Sequence, residues 1–161
     1  MRRIKLDKID RRILRDLQAN GRMTNVELAR RAGISAPPCL RRVRALEEAG
    51  FIRGYHADVN PENLGFGVTV FAQVGLSSQA EPDLKAFETL THGWPEVREA
   101  HMLAGETDFL LKIVATDWDS YQRFLTTKLT AAPNVAHVRS ALAIRPSKYE
   151  PGVPIDVDAK E

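Results

Sequence analysis

Residues 24–47 read TNVELARRAGISAPPCLRRVRALE, and their pattern predicts two short helices joined by a tight turn. Thr24 begins a capping box with Glu27, in which the hydroxyl and the carboxylate satisfy each other's free backbone N–H groups. This helix is predicted to end at Gly33, whose permissive backbone allows a sharp turn. Ser35 is then expected to cap the following helix. The order of helix, glycine turn and helix is typical of a helix-turn-helix unit.

The second helix of this pair is predicted from apolar residues at helical spacing, Leu40, Val43 and Leu46, which are expected to point inward. Two prolines fit only within its first turn, where the missing N–H groups would have no partner in the helix. At ~100° per residue, a face of small and basic residues points away from the apolar stripe. Its members are Pro37, Pro38, Arg41 and Ala45, flanked by Arg42 and Arg44. Cys39 is interpreted as a small packed or groove-lining residue rather than a nucleophile.

Exposed arginines beside the first turn of such a helix favour DNA binding. Arginine forms bidentate hydrogen bonds with guanine or phosphate, and the first turn of a recognition helix lies closest to the base edges. The pattern leaves one alternative open, a small helical bundle whose basic face is simply solvated.

Another helix is predicted to precede this pair, between Asp7, which can cap it, and Asn20, where an Asn-Gly pair ends it. Asp10 lies near the positive end of the helix dipole. One face of this first helix is basic and the opposite face is apolar. The apolar residues are Ile9, Ile13, Leu14 and Leu17.

Residues 51–59, FIRGYHADV, alternate in a way that predicts a strand, and residues 60–67 follow as a loop rich in Pro, Asn and Gly. A lone strand is not stable, so it should pair with another chain or lie on the following module. We favour pairing with its twin across a dimer axis.

The remaining pattern follows the order strand, helix, strand, strand, helix, strand. The strands are predicted at residues 68–76, 97–103, 109–115 and 135–144, with helices after Pro82 and Asp117. This order predicts a ferredoxin-like βαββαβ sandwich with both helices on one face of an antiparallel sheet. The open face of the sheet needs a cover, which we expect a second subunit to provide.

The predicted fold class is therefore α+β, a helix-turn-helix (winged-helix-like) domain followed by a ferredoxin-like domain. The domain boundaries are residues 1–50 for the helix-turn-helix domain, 51–67 for the hinge strand and linker, 68–145 for the ferredoxin-like domain and 146–161 for the tail. Prolines in the tail predict an extended segment.

The hairpin at residues 105–108 carries the most distinctive chemistry of the second module. A carboxylate beside free backbone N–H groups near an interface can hold both the ammonium and the carboxylate of an amino acid. The alternative is that Gly and Asp are present only because they are good turn residues.

Charge divides the chain in the same place as the predicted fold. The whole chain has 23 Lys and Arg against 21 Asp and Glu, a net charge of +2. Residues 1–60 contain 14 basic and 7 acidic side chains (net +7), whereas the remainder contains 9 and 14 (net −5). Such asymmetry predicts a basic module facing a polyanion, or else an unevenly charged solvated surface.

Several classes of protein are excluded or disfavoured. Cys39 is the only cysteine, so no intrachain disulfide can form, and no signal peptide or membrane span is present, which predicts a cytoplasmic protein. The histidines, His56, His92, His101 and His137, show no metal-site spacing, and no phosphate-binding loop or nucleophile elbow occurs. We therefore expect neither an enzyme nor a cofactor. His101 is either a ligand contact or a packed strand residue.

Four segments of the first module and the hairpin of the second resemble one family, the leucine-responsive regulatory protein/AsnC (feast/famine) regulators of bacteria and archaea. The segments are LDKIDRRIL at 6–14, GRMTNVELA at 21–29, PCLRRVRALE at 38–47, GFIRGY at 50–55 and LAGETDFLLK at 103–112. The last is similar to the G-x-x-D-aromatic effector motif of that family. The resemblance extends from about Leu6 to Arg145.

The resemblance implies a cytoplasmic, nucleoid-associated regulator that binds double-stranded DNA and senses a small amino acid, leucine being the best-known effector. It implies dimers that assemble into tetramers, octamers or higher rings, with the effector between dimers. The DNA-binding residues it implies are Ser35, Pro37, Pro38, Arg41, Arg42 and Arg44. The effector-binding residues it implies are Gly105, Thr107 and Asp108, with Met102 and Leu142 as apolar neighbours. In this arrangement Asp108 pairs with the ligand ammonium.

Two departures restrict what the resemblance carries over. The Pro37-Pro38 pair changes how the third helix begins, and the exposed side chains of that helix vary across the family, so no target sequence follows. Two other functions remain to be distinguished: a nucleoid-architectural protein without an effector, and a small enzyme of amino-acid metabolism.

Overall fold

A computed structural model describes residues 5–159, so the ends of the predicted first domain and tail (1–4 and 160–161) lie outside the described residues. The chain forms two compact units. The first contains the chain up to Asp58 together with the segment from Lys148 onward, and the second is Val59–Ser147. The division falls inside the predicted hinge, and the tail groups with the first unit.

Three helices build the first unit: α1 (Lys8–Ala19), α2 (Asn25–Ala32) and α3 (Ala36–Glu48). Asp7 caps α1, and its partner in a reciprocal capping box is Asp10. Thr24 caps α2 through its hydroxyl, which accepts from the Glu27 N–H at 3.2 Å. The reciprocal bond predicted for Glu27 does not form, because its carboxylate accepts from Arg31 one turn later.

The core of the first unit corrects the predicted inward face of α3. Leu40 is 39% exposed, whereas Cys39 is fully buried. Steps of i, i+4 and i+7 from Cys39 return close to the same helix face, whereas steps of three residues from Leu40 drift around the helix. The buried residues are Ile13, Leu28, Ala29, Ala32, Cys39 and Leu46.

The predicted hinge strand is not a strand in the single chain. The N–H groups of Phe51 and Ile52 both donate to the Leu46 carbonyl at the end of α3, at 2.9 and 3.3 Å. Residues 53–60 have no ladder partner among the described residues. A strand requires a neighbouring strand, and its pairing with a second chain stays a prediction.

The second unit contains β1 (Val68–Leu76), α4 (Glu81–His92), β2 (Val97–Met102), β3 (Phe109–Ala115), α5 (Trp118–Phe124) and β4 (Val135–Leu142). A short 3₁₀ turn (Glu62–Leu64) precedes β1, and a π turn (Leu125–Leu129) continues α5. The strands lie in the order β2-β3-β1-β4, and every neighbouring pair is antiparallel. The βαββαβ prediction and the α+β class are confirmed.

The two faces of this sheet differ in burial. Alternate residues of β1 and β3 are buried with the aromatic side chains of α4 and α5. On the opposite face Phe71 is 39% exposed in the middle of β1. The imidazole of His137 lies directly over Gly75, where a Cβ would be only 2.0 Å from the ring. Within residues 5–159, no helix is both long and apolar enough to cross a bilayer.

Candidate functional site

The first turn of α3 is fixed to α2 by one side chain. Asn25 Nδ2 donates to the Ala36 carbonyl at 2.9 Å, which holds the turn between the helices. Ser35 occupies the N-cap position without a side-chain capping bond. Pro37 and Pro38 have no N–H, so Ala36 is the one residue of the first three helical positions with a backbone donor. The positive charge of this face must therefore come from side chains.

Arg41 and Arg44 provide that charge. Both side chains are exposed, and within residues 5–159 neither forms a salt bridge or side-chain hydrogen bond. Ser35 and Pro37 are exposed on the same part of the unit, and Pro38 is half-buried. The structure thus brings Ser35, Pro37 and Pro38 together in the first turn, with the two arginines following them along α3.

Arg42 is placed differently from its neighbours. Its Nη1 donates to Asp10 Oδ1 at 2.7 Å and to Asp7 Oδ2 at 2.8 Å, and these carboxylates raise the pKa of Arg42. Burial tends to raise the pKa of Asp7, but the Asp10 N–H and the Arg42 guanidinium outweigh it and lower that pKa. Arg42 therefore ties α3 to the start of α1, and a direct DNA contact by this residue stays a prediction.

An anchor that the sequence reasoning missed lies just after α3. The Tyr55 hydroxyl donates to Glu47 Oε1 at 2.9 Å. Burial and the Glu47 carboxylate raise the pKa of Tyr55 to about 12. Little in the sequence indicated this contact, because no spacing rule relates an aromatic residue to an acidic residue eight positions before it.

The β2–β3 hairpin, residues 103–108, is held to the end of β1 by Asp108. Asp108 Oδ2 accepts from the Leu76 N–H at 2.6 Å, and the Asp108 N–H donates to the Val74 carbonyl at 3.0 Å. A third bond, 2.8 Å long, runs from the Leu103 N–H to the Asp108 carbonyl and closes the hairpin. One carboxylate oxygen of Asp108 therefore already accepts a hydrogen bond from the backbone.

The surface around the hairpin is open and partly apolar. Met102 is 58% exposed and Leu103 is 40% exposed. A Cβ added at Gly105 would meet no atom within 4 Å, and Thr107 is half-buried. These residues and Asp108 lie together at one end of the sheet.

Leu142 does not join this group within one chain, although it was predicted as an apolar neighbour of the hairpin residues, because its strand β4 lies at the opposite edge of the sheet from β2. Leu142 on β4 is opposite Val70, whereas Met102 is opposite Phe109, which in turn is opposite Val74. Leu142 and Met102 are therefore four residues apart along the strands, roughly 13 Å, and three strand spacings apart across the sheet, roughly 14 Å. One chain cannot bring Leu142 to the hairpin.

The loop after Leu76 is bonded to Asn134, which precedes β4, and neither Ser77 nor Asn134 was predicted as a site residue. Ser77 Oγ donates to Asn134 Oδ1 at 2.5 Å, and Asn134 Nδ2 donates to the Ser78 carbonyl at 2.9 Å. Asn134 adopts a left-handed backbone with φ of 68°, which Asn tolerates better than most residues. The Pro133-Asn134 pair was the available signal.

Two depressions of the second unit lie away from the hairpin. Two shallow depressions, of about 480 and 400 Å³, are lined by α5 and its neighbours, and neither includes a hairpin residue. Among residues 5–159, no three His, Cys, Asp or Glu side chains cluster as a metal site.

Two family profiles match the chain, one over the three helices of the first unit and one over the sheet of the second unit and the start of the tail. The profile for winged helix-turn-helix DNA-binding domains matches residues 6–53, and that for the Lrp/AsnC ligand binding domain matches residues 69–153. A leucine-responsive regulatory protein of Rhizobium meliloti (strain 1021) is 57% identical over 91% of this chain and 94% of its own length. That of Escherichia coli (strain K12) is 40% identical, with 89% and 87% covered.

Solved structures agree with this relationship. A transcriptional regulator from Neisseria meningitidis in complex with L-Met has a TM-score of 0.90 and 37% identity, covering 94% of this chain and 98% of that one. An AsnC family regulator from Agrobacterium tumefaciens has a TM-score of 0.88 and 34% identity, covering 96% and 100%. The chain therefore belongs to the Lrp/AsnC family of transcriptional regulators, with a winged helix-turn-helix domain followed by a ligand-binding domain.

Proposed function

We propose that this regulator binds duplex DNA through α3 and responds to a small amino acid at the β2–β3 hairpin. The observation that carries the proposal is the pair of unpaired, exposed arginines on α3, Arg41 and Arg44, in a unit that matches a DNA-binding family. Ser35, Pro37 and Pro38 line the start of the same face. Arg42 supports this face by anchoring α3 to Asp7 and Asp10.

Binding to an upstream DNA fragment tests the DNA-binding face. Arg41→Ala should weaken binding by about 1–3 kcal/mol if Arg41 contacts a base, or reduce the salt slope by about one if it contacts a phosphate. Affinity is measured by fluorescence anisotropy at several salt concentrations.

Lys85→Ala is the control for removing one positive charge, since Lys85 lies on α4 in the second unit. If Arg41→Ala bound DNA with the affinity and salt dependence of the unmodified chain, α3 would not be the DNA-binding element.

The effector site is proposed from the charge and the apolar surface at the hairpin. Only Oδ2 of Asp108 is bonded to Leu76, so the carboxylate retains acceptor capacity for a ligand ammonium. Exposed Met102 and Leu103 favour a ligand with an apolar side chain. The L-Met complex of the neighbour and the leucine-responsive relatives support an amino acid of this class.

Calorimetric titration with L-leucine and L-methionine tests this site. Asp108→Asn keeps an oxygen for the Leu76 N–H but removes the charge, so it should weaken ligand binding by about 1.5–3 kcal/mol without unfolding the hairpin. Glu106→Gln removes a charge from the same hairpin and is the matched control. Equal effects of the two variants would show that Asp108 does not bind the ammonium.

Assembly is proposed from the exposed sheet face. Phe71 and its neighbours would be covered by a second copy, and dimers would join into tetramers or octamers so that another chain closes the hairpin cleft. Leu142 could then reach a cleft as a residue of a different copy.

The competing function is a nucleoid-architectural protein that binds DNA without an effector. Thermal shifts with a panel of amino acids separate the two, because only a sensor is stabilised by its ligand. The relatives are transcriptional regulators. We accordingly propose that the chain is not an enzyme, requires no cofactor and acts in the cytoplasm on the nucleoid.

A further inference from the structure

The segment at residues 152–158, here called the strap, is bonded to the outer face of α1. Gln18 Nε2 donates to the Val153 carbonyl at 2.7 Å, and the Val153 N–H donates to Gln18 Oε1 at 3.1 Å. One side-chain amide thus satisfies both backbone groups of Val153, as a neighbouring strand would. Such a two-way bond fixes the strap in one register.

Gly152 allows this contact to form. Its φ is +94°, and a Cβ built there would lie 2.2 Å from Gln18 Oε1. Gly50 and Gly65 also have positive φ, but a Cβ at either would meet nothing within 4 Å. The glycine at 152 is therefore required for close approach as well as for backbone conformation.

Charge provides a second, separate attachment. Asp158 forms an ion pair with Lys8, and this hydrogen bond and charge lower the pKa of Asp158, with further contributions from Arg12 and Arg15. Lys8, Arg12 and Arg15 are spaced at i, i+4 and i+7, which places them on one face of α1. We call these three residues the α1 stripe.

The geometry of the strap matches the length of the helix that it follows. Ten residues of α-helix separate Lys8 from Gln18, a rise of about 15 Å. Five residues separate Val153 from Asp158, a span of at most about 17 Å when fully extended, and the chain bends at residues 157 and 158. Burial also alternates, since Ile155 and Val157 are half-buried while the residues beside them are exposed. The attachment of Val153 to Gln18 and of Asp158 to Lys8 shows that the strap runs antiparallel to α1.

We propose that the strap is a built-in acidic ligand of the α1 stripe and that Asp158 competes with DNA phosphate for Lys8. Displacement of the strap frees Lys8 from Asp158 in the unit that carries α3, next to Arg12 and Arg15 on the same helix face. Arg15 is also paired with Asp16. The freed cation adds sequence-independent affinity for duplex DNA. The proposed competition rests on the proposed DNA-binding function, whereas the docking of the strap on α1 does not.

Amide hydrogen exchange of the full chain tests the docking. The Val153 N–H should be protected, and Gly152→Ala should remove that protection because the new Cβ displaces the Gln18 side chain. Gly65→Ala introduces similar backbone strain where no atom is near, and it should leave Val153 protected. An unprotected Val153 in the unmodified chain, or equal protection in all three proteins, would overturn the docking.

Binding of a mixed-sequence duplex at low salt tests the competition. Asp158→Asn should tighten binding by up to about fivefold, the range expected for an exposed ion pair, and the gain should vanish at high salt. Asp156→Asn is the matched control, because it removes the same charge from a carboxylate that accepts from the Asp158 N–H instead of pairing with the α1 stripe.

Equal affinities for the two Asn variants, or no gain for Asp158→Asn, would overturn the competition and leave the strap with a purely structural role. Failure of every variant to bind DNA would instead overturn the proposed function, while protection of Val153 would still establish the docked strap.

Discussion

The exposed face of α3 and the β2–β3 hairpin differ in how much of each site a single chain completes. Within one chain, Asn25 and Arg42 fix the position of α3 through bonds of 2.7–2.9 Å. The hairpin is fixed to β1 by Asp108, but Met102 and Gly105 beside it face no other surface. A DNA-binding surface can thus be complete in one copy, whereas the proposed ligand site at the hairpin is open in one copy.

The largest expected effect would come from blocking assembly through the open sheet face. Phe71→Asp places a charge where a second copy is proposed to cover β1, and an uncompensated buried charge costs about 3–5 kcal/mol. We expect a monomer in sedimentation velocity and no amino-acid binding in calorimetry. Unfolding of the first unit should be unchanged.

Ala86→Asp on the exposed side of α4 is the control for adding a negative charge to the second unit. A Phe71→Asp protein that remained oligomeric and bound its ligand normally would show that the open sheet face is not the assembly surface on which the hairpin site depends.

The next effect concerns two adjacent arginines of α3. Arg42→Ala leaves the Asp7 and Asp10 carboxylates without their cation, and Asp10 is only 8% exposed. We expect a loss of about 2–3 kcal/mol in the free energy of unfolding, measured in urea. Arg41→Ala should change stability by less than about 0.5 kcal/mol, as expected of an exposed residue.

The ion pair between Arg42 and Asp7 predicts that the stability of the first unit depends on pH. The pKa of Asp7 is lowered in the folded chain, so its contribution is present above the unfolded value of about 3.9 and is lost as pH falls through the folded value. Urea midpoints should therefore decline below about pH 4 in the unmodified chain and more gently in Arg42→Ala. An equal decline of the urea midpoint with pH in the two proteins would show that Arg42 does not lower the pKa of Asp7.

The smallest effect is expected at the anchor after α3. Tyr55→Phe removes the hydrogen bond to Glu47 and should cost about 1 kcal/mol of stability. In the unmodified chain the phenol should ionise near its pKa of about 12, and Glu47→Gln should lower that value, as followed by ultraviolet absorbance. The raised pKa means that this contribution is full below about pH 10 and is lost as pH rises through 12. Ionisation near 10 in the unmodified chain would contradict the contact.

The order of helices and strands was predictable because each element has its own local period. The glycine turn and the βαββαβ order needed no knowledge of packing. Side-chain partners were less predictable, since they depend on which neighbour is nearest in space. Glu27 illustrates this, because Arg31 one turn away displaces the N-cap bond of a capping box. In α3, both Leu40 and Cys39 begin a plausible apolar stripe, and only packing selects Cys39.

The ligand site was predictable only in part. Residues of one hairpin are neighbours in sequence and in space, so Gly105, Thr107 and Asp108 are grouped correctly at one end of the sheet. Leu142 depends on the strand order β2-β3-β1-β4, which places its strand at the opposite edge from Met102. The hinge segment was predicted as a strand from its alternation alone, and in one chain residues 53–60 have no strand to pair with among the described residues.

The discontinuity of the first unit has a consequence for the order of folding. Its three helices make contacts that are close in sequence, whereas the Gln18–Val153 bonds join residues 135 positions apart. Closing so long a loop costs more chain entropy than any step within the helices, and the cost is reduced once β1 to β4 have folded and drawn the loop together. The strap should therefore be the last part of the first unit to become ordered during synthesis, after the second unit is complete.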